Sequence, residues 1–300
     1  MAAAPPPIST VGVLGAGTMG HGIAQVAAAA GFQVVLRDVD QSAVDQGLQS
    51  IERNLTKGIE RGKVTEQERD DTLARIKTTT ELRDLSAVDL IIEAAPESLK
   101  LKQDLLRECE AVSGADCIFA TNTSSLSITE IASLAVRSDK VIGMHFFNPV
   151  HIMKLIEVVV GERTGKDTTA AVTRVAMQMK KEPIVVRDVP GFASSRLGVT
   201  LGLEAMRMVE QGVASARDID TAMELGYNHP MGPLRLTDLV GLDVRLSIAE
   251  YLHSKLGSET FRPPDILRRM VSEGKLGKKT GQGFYDWTDG DKARLASPVT

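Results

Sequence analysis

Three hundred residues suit two domains, or one large α/β unit, better than a single small one. With 43% hydrophobic and 25% charged residues the chain can fill a core and keep a polar surface, and a net charge of −4 argues against nucleic acid or an anionic membrane as partner. No apolar run approaches the ~20 residues of a membrane helix. The start, MAAAPPPIST, lacks basic residues and an apolar stretch, so it reads as a disordered lead-in and not as a signal or transit peptide. Cys109 and Cys117 have neither metal-ligand nor CxxC spacing, so no metal is expected and both read as buried thiols of a reducing compartment, the cytoplasm.

Up to about residue 188, short apolar strands alternate with longer helical patterns, the sign of a parallel α/β sheet. Strands are expected at Val11–Leu14, Gln33–Arg37, Leu90–Ala94, Ile118–Thr121, Val141–Phe146, Leu155–Val160 and Ile184–Arg187. Helices are expected at 19–30, 42–60, 66–75, 98–112, 127–135 and 167–181, with Ser127 and Glu130 spaced as a capping box. After Asp188-Val189-Pro190-Gly191 strands give way to helices. One runs from Ala193 to Gln211, one from an N-cap at Ser215 to Gly226, and one from Pro263-Pro264 to Gly274. The expected fold is therefore a Rossmann-like dinucleotide-binding domain over residues 8–189, followed by an all-α domain over 190–300.

The first strand runs into Gly15-Ala16-Gly17-Thr18-Met19-Gly20, which opens a helix. In that context Gly15 makes a tight turn, Gly17 lets a pyrophosphate approach the main chain, and Gly20 lets the helix pack on the strand. The helix N-terminus adds N–H donors for phosphate. The second strand ends in Asp38, eighteen residues past Gly20, where a carboxylate grips adenosine ribose hydroxyls and repels a 2′-phosphate. NAD is the expected cofactor. Arg37 reads as a solvent-facing strand residue. Glu97 follows the strand DLIIEAA, with Lys102 about one turn further on; on the residues alone both read as surface charges.

Of five histidines only His145 ends a buried-looking strand on the cofactor side. If VIGMHF and KLIEVVV form a hairpin centred on residue 151, His145 faces Glu157. A carboxylate there holds the imidazole's tautomer and stabilises its charged form, as a proton-transfer pair requires; a structural His–Glu bond is the alternative. In ATNTSSLS at 120–127, Ser127 is the natural cap, which leaves Ser124 and Ser125 to meet a ligand oxygen.

These motifs, together with NTSSLSITE at 122–130, GMHFFNPV at 143–150, DVPGF at 188–192, GYNHPMGPLRLTDLVGLD at 226–243 and GKLGKKTGQGFYDW at 274–287, resemble the L-3-hydroxyacyl-CoA dehydrogenase family, above all its single-function 3-hydroxybutyryl-CoA branch. The likeness covers the chain after its first ten residues. It implies NAD-dependent interconversion of 3-hydroxyacyl-CoA and 3-oxoacyl-CoA, in fatty-acid or butanoate metabolism. It also implies that His145 takes the hydroxyl proton, that Glu157 partners it, and that Ser124 meets both substrate oxygen and nicotinamide. Asp38, Glu97, Lys102 and Lys279 match the family's cofactor contacts. Where many members carry asparagine after the PGF motif, this chain has Ser195, whose single hydroxyl replaces an amide donor and acceptor. Asn148 is a second candidate for that contact.

Asn54, Lys57 and Arg61 share one face of the second helix and suit CoA phosphates, or they form an ordinary solvated face. The apolar run LGVTLGLEAMRMV at 197–209 needs cover, and the resemblance implies a homodimer through 190–300. Three other readings remain open. A λ-crystallin-like dehydrogenase of free sugar acids shares many motifs, and a non-catalytic NAD-binding relative would share most. The 6-phosphogluconate and hydroxyisobutyrate enzymes fit less well, because GFASSR lacks the lysine that they carry there.

Overall fold

The computed structural model describes residues 7–289 and 294–295, and the chain divides into two compact units, Met1–Phe192 and Ala193–Thr300. Residues 1–6 of the lead-in lie outside the described residues. The first unit runs β1 (Thr10–Leu14), α1 (Gly20–Ala29), β2 (Gln33–Arg37), α2 (Gln41–Glu60), α3 (Glu66–Ala74), β3 (Ile76–Thr79) and β4 (Leu90–Glu93). It continues with α4 (Leu99–Val112), β5 (Ile118–Thr121), α5 (Ile128–Ile131), β6 (Val141–Phe146), β7 (Leu155–Val160), α6 (Lys166–Gln178) and β8 (Glu182–Arg187).

The strands form one eight-stranded sheet in the order β3-β2-β1-β4-β5-β6-β7-β8. Neighbours are parallel except β6 and β7, which form an antiparallel pair. Alternate residues of the central strands feed two cores. Val11, Val13, Ile92 and Met144 pack with α1 and α6 residues such as Ile23 and Val172. Leu14, Ile91, Phe119 and Val141 pack with Leu106 of α4 and Ile128 of α5. Both faces are covered, which is why these strands read as nearly unbroken apolar runs. The order reverses between β1 and β4, so a crevice for a ligand opens at their C-terminal ends.

Several expectations shift. β3 was not foreseen; its sequence IKTT has one apolar residue and no alternation, and β2 supplies its pairing. The expected helix at 127–135 is a single α-turn, Ile128–Ile131, followed by a 3₁₀ turn to Leu134. Ser127 accepts from the Glu130 N–H as its cap. The full reciprocal box belongs instead to Thr65 and Glu68 at α3. Cys109 and Cys117 are buried, free thiols.

The second unit contains α7 (Ser194–Glu210), α8 (Ala216–Gly226), α9 (Pro233–Val240), α10 (Leu242–Leu256) and α11 (Asp265–Ser272). α9 and α10 were not foreseen. They meet at Gly241, whose φ of 104° turns the chain with no polar linker to mark the break. The unit is not purely helical, because β9 (Tyr285–Asp286) pairs antiparallel with β10 (Arg294–Leu295). Its core gathers Leu203, Met206, Leu234, Leu252, Leu267 and Trp287. Two buried carboxylates pin the segment around β9. Asp238 accepts from the Phe284 and Tyr285 N–H groups and from Trp287 Nε1 at 2.8–2.9 Å. Asp220 accepts from the Leu234 and Arg235 N–H groups and from the Tyr285 hydroxyl.

Candidate functional site

At the β1–α1 turn Gly15 has φ 92°, and its N–H donates to the Arg37 carbonyl at 2.8 Å. A Cβ at Gly20 would sit 1.7 Å from the Gly15 carbonyl oxygen, so only glycine fits there. Gly17, by contrast, has nothing within 4 Å of such a Cβ and faces open space. Met19 caps α1 with no side-chain bond, and among the described residues the N–H groups of Gly17, Thr18 and Met19 donate to nothing. Unsatisfied donors at a helix N-terminus beside open space are what a pyrophosphate requires. Asp38 braces the loop from below: its Oδ2 accepts from the Ala16 N–H at 2.7 Å. The residues present therefore fit NAD. Arg37 is not solvent-facing; it is half-buried and its Nε donates to the Thr80 carbonyl.

The ends of β4 and β5 hold a group that sequence reasoning missed. Glu93, fully buried, accepts from Lys102 Nζ at 2.8 and 3.0 Å, from Thr121 Oγ1 at 2.6 Å and from the Ala95 N–H at 2.6 Å. Lys102 is only 1% exposed, so its reading as a surface charge is corrected. The available signal was a lone glutamate inside an apolar strand, which demands a cation. Glu97 is partly exposed but is no idle surface charge either. Its Oε1 accepts from Thr123 Oγ1 at 2.5 Å, from the Ser124 and Ser125 N–H groups, and from Ser125 Oγ. Burial pushes Glu97 up, but the bonds from Thr123 and Ser125 and the charge of Lys102 outweigh it and hold the carboxyl below its ordinary range. The Ser125 hydroxyl is thus spent, whereas that of Ser124 makes no hydrogen bond among the described residues.

β5 pairs with β6 through Thr121 and Gly143, which sets His145 beside this loop. The β6–β7 register pairs His145 with Glu157, as the hairpin argument predicts. Nδ1 lies 2.7 Å from Glu157 Oε2, and the two residues are 7% and 0% exposed. An ionised carboxylate only accepts, so Nδ1 carries the proton and Nε2 is left with a lone pair. Phe147 and Phe192 pack on the imidazole with centroids 4.5 and 5.9 Å away. Asn122, also missed, accepts from the Phe146 N–H at 2.8 Å and ties the end of β6 to the serine loop.

The remaining candidates lie apart from this cluster or in the other unit. On α2, Lys57 and Arg61 are exposed, while Asn54 is half-buried and donates to Gln25 at 3.2 Å. Asn148 is exposed, ahead of the cis Pro149. In the second unit Ser195 is half-buried in the first turn of α7, and Lys279 binds both oxygens of Asp243 at 2.6 Å.

Residues 10–189 match the 3-hydroxyacyl-CoA dehydrogenase NAD binding domain, and residues 191–287 match the C-terminal domain of the same enzymes. A 3-hydroxybutyryl-CoA dehydrogenase of Clostridioides difficile is 45% identical over 92% of this chain and 98% of its own. A probable 3-hydroxybutyryl-CoA dehydrogenase of Bacillus subtilis is 45% identical over 94% and 98%. The crystal structure of (S)-3-hydroxybutyryl-CoA dehydrogenase from Ralstonia eutropha superposes with a TM-score of 0.91 at 42% identity, covering 97% of this chain and 99% of that one. With a phosphate-ready glycine turn, a buried His–Glu pair one strand from a serine loop, and both domain matches in order, the chain belongs to the 3-hydroxyacyl-CoA dehydrogenase family.

Proposed function

We propose that the protein interconverts (S)-3-hydroxyacyl-CoA and 3-oxoacyl-CoA, with 3-hydroxybutyryl-CoA and acetoacetyl-CoA as its substrates. The observation that carries this reading is the buried His145–Glu157 pair with Nε2 unused. In the oxidative direction Nε2 takes the proton of the substrate's 3-hydroxyl. Glu157 keeps the Nδ1 proton in place and offsets the charge that the ring gains. The free Ser124 hydroxyl donates to the same substrate oxygen and steadies it. Bound NAD supplies the hydride acceptor. The loop N–H groups of Gly17, Thr18 and Met19 hold its phosphates, Asp38 its adenosine ribose, and Glu97 and Lys102 shape the far edge of its site. Lys57 and Arg61, with Asn54, face the CoA moiety. Asn148 and Ser195 for the substrate, and Lys279 for the cofactor, are carried by family likeness.

We assign the protein to a homodimer through its second unit. Leu225, Tyr227 and Leu197 are 82%, 75% and 72% exposed there, and a second subunit would remove such side chains from water. No described helix is long and apolar enough to cross a membrane. Free Cys109 and Cys117 support a reducing compartment, the cytoplasm. The test is loss of NADH absorbance with acetoacetyl-CoA, set against acetoacetate and free sugar acids. Turnover of the free acids alone, or of none, would sink the reading.

A further inference from the structure

Arg245 lies on α10 in the second unit and is only 7% exposed, yet nothing in that unit balances its charge. Its Nε is sealed from solvent with no hydrogen-bond partner, and among the described residues no ion pair reaches its side chain. Burial alone pushes the guanidinium down from 12.5 to about 10, with no carboxylate near enough to lift it. Of the buried cations among the described residues, Lys102 has Glu93 and Lys181 has the carbonyls of Val150 and Met153; Arg245 has neither kind of partner. The acids of α7, α9 and α10 are committed elsewhere. Glu204 binds Arg207 at 3.0 Å, and Glu210 accepts from the Ile266 N–H at 2.7 Å. Asp238 holds Phe284, Tyr285 and Trp287, Asp243 holds Lys279, and Glu250 holds Arg268.

The guanidinium faces a strip of α7 that carries almost no side chain. Ser195, Gly198 and Gly202 recur at i, i+3 and i+7, so they share one side of the helix. A Cβ at Gly198 would meet only Arg245 Nη1, at 3.6 Å, and one at Gly202 only Thr237 Oγ1, at 3.2 Å. Thr237 is fully buried, and its hydroxyl also has no partner. Two unspent polar groups therefore line a bare strip of helix, and the strip begins at Ser195, the position that family likeness gives to the substrate. An uncompensated buried guanidinium is costly, and its planar fork fits a carboxylate with two parallel bonds. The rise from Ser195 to Gly198 is on the order of 5 Å. The carbons that follow C3 in an adipyl chain cover about that span.

We propose that Arg245 is the seat of a carboxylate at the far end of the acyl chain, so that the protein also acts on the 3-hydroxyacyl-CoA and 3-oxoacyl-CoA thioesters of dicarboxylic acids. The inference rests on the acyl-CoA reading above and adds a second substrate class to it. The carboxylate supplies the charge that the second unit lacks at Arg245, and the missing side chain at Gly198 leaves room for the acyl chain. Arg245 thereby sets specificity and takes no part in proton or hydride transfer.

Steady-state kinetics on the whole protein test it, with 3-oxoadipyl-CoA and acetoacetyl-CoA as paired probes and NADH as reductant. The wild type should reduce both. In Arg245→Met the ratio of kcat/KM for 3-oxoadipyl-CoA to that for acetoacetyl-CoA should fall about tenfold, since a charge-assisted fork is lost from one substrate only. Arg245→Lys, with the charge but not the fork, should fall less. A purely structural Arg245 would lower both substrates together and leave the ratio unmoved. If the thermal midpoint shows that Arg245→Met does not fold, Arg245→Gln carries the same comparison. A fall smaller than about threefold in the folded variant overturns the inference, as does wild-type protein that reduces acetoacetyl-CoA but not 3-oxoadipyl-CoA. So does an inorganic anion as sole guest, seen as a chloride-dependent thermal midpoint that Arg245→Met abolishes while the ratio holds. Reduction of neither thioester defeats the proposed activity and this inference together.

Discussion

Two buried acid–base pairs sit near the C-terminal ends of β4 and β6, on either side of β5, and they differ in what they leave over. Glu93 and Lys102 consume each other: the carboxylate takes Lys102, Thr121 and the Ala95 N–H, and the ammonium also reaches the Ala95 carbonyl at 3.2 Å. His145 and Glu157 share one bond of 2.7 Å, after which the imidazole keeps an unused nitrogen. Both pairs cost desolvation energy, and both are satisfied enough to persist. Only the second holds a lone pair that can receive a proton. Burial and charge alone thus do not single out the reacting group; the unspent valence does.

The largest expected effect separates the pairs by readout. His145→Gln should lower kcat for acetoacetyl-CoA by about 10²–10⁴-fold, the usual worth of a general acid–base group, with NADH affinity unchanged. A variant within a few-fold of wild-type kcat would remove His145 from the mechanism. Lys102→Met acts on the other pair. It strands the buried Glu93 carboxylate, and breaking one half of such a pair costs about 3–5 kcal/mol, so the urea midpoint should fall steeply. If Lys102→Met leaves stability intact, the pair is not the closed structural unit that its geometry indicates.

A third carboxylate sharpens the same contrast through pH. Burial pushes Asp238 up from 3.8 to about 6, against the pull of its bonds from Trp287, Phe284 and Tyr285. The folded state then holds this proton more tightly than the unfolded chain. Its contribution is fully present below pH 3.8 and is lost as pH rises through about 6, a swing of about 3 kcal/mol. Wild type should therefore lose stability relative to Asp238→Asn across that window, measured by urea unfolding at fixed pH steps. Parallel profiles for the two proteins would contradict the assignment. Asp38→Ala has a smaller expected effect. It removes one charge-assisted bond to the ribose and the brace on the Ala16 N–H, so KM for NADH should rise about 10–100-fold and the preference over NADPH should shrink. Equal wild-type kcat/KM for the two cofactors would overturn the role given to Asp38.

The sequence made the His145–Glu157 geometry legible because a hairpin has one register once its centre is set. The glycine turn was legible for a similar reason, since its demands are local to six residues. What stayed hidden depends on tertiary neighbours. Lys102 looks like any helix lysine until α4 is laid against β4, and Glu97 looks idle until the serine loop folds onto it. α9 and α10 escaped because Gly241 joins them without a polar loop, and β3 because its one apolar residue carries no period.

Ser195 gives the smallest expected effect and the finest version of the comparison. Like Nε2 of His145, its hydroxyl has no hydrogen bond among the described residues, so it counts as unspent. Unspent groups are candidates for ligand contact, but a hydroxyl that has merely replaced an amide is also unspent. The two cases respond differently to substitution. Room exists nearby: a Cβ on Gly198, one turn along α7, would meet only Arg245 Nη1, at 3.6 Å. Ser195→Asn should therefore be accepted and should change kcat/KM for acetoacetyl-CoA by less than about tenfold, near the net value of one hydrogen bond. A loss near ~100-fold would mean that the added bulk displaces a reacting group, since small misplacements carry costs of that order. Ser195→Ala completes the test. If it alone abolishes turnover, the hydroxyl is a working contact of the site; if it is silent while Ser195→Asn gains activity, the position is a vacancy that asparagine can refill.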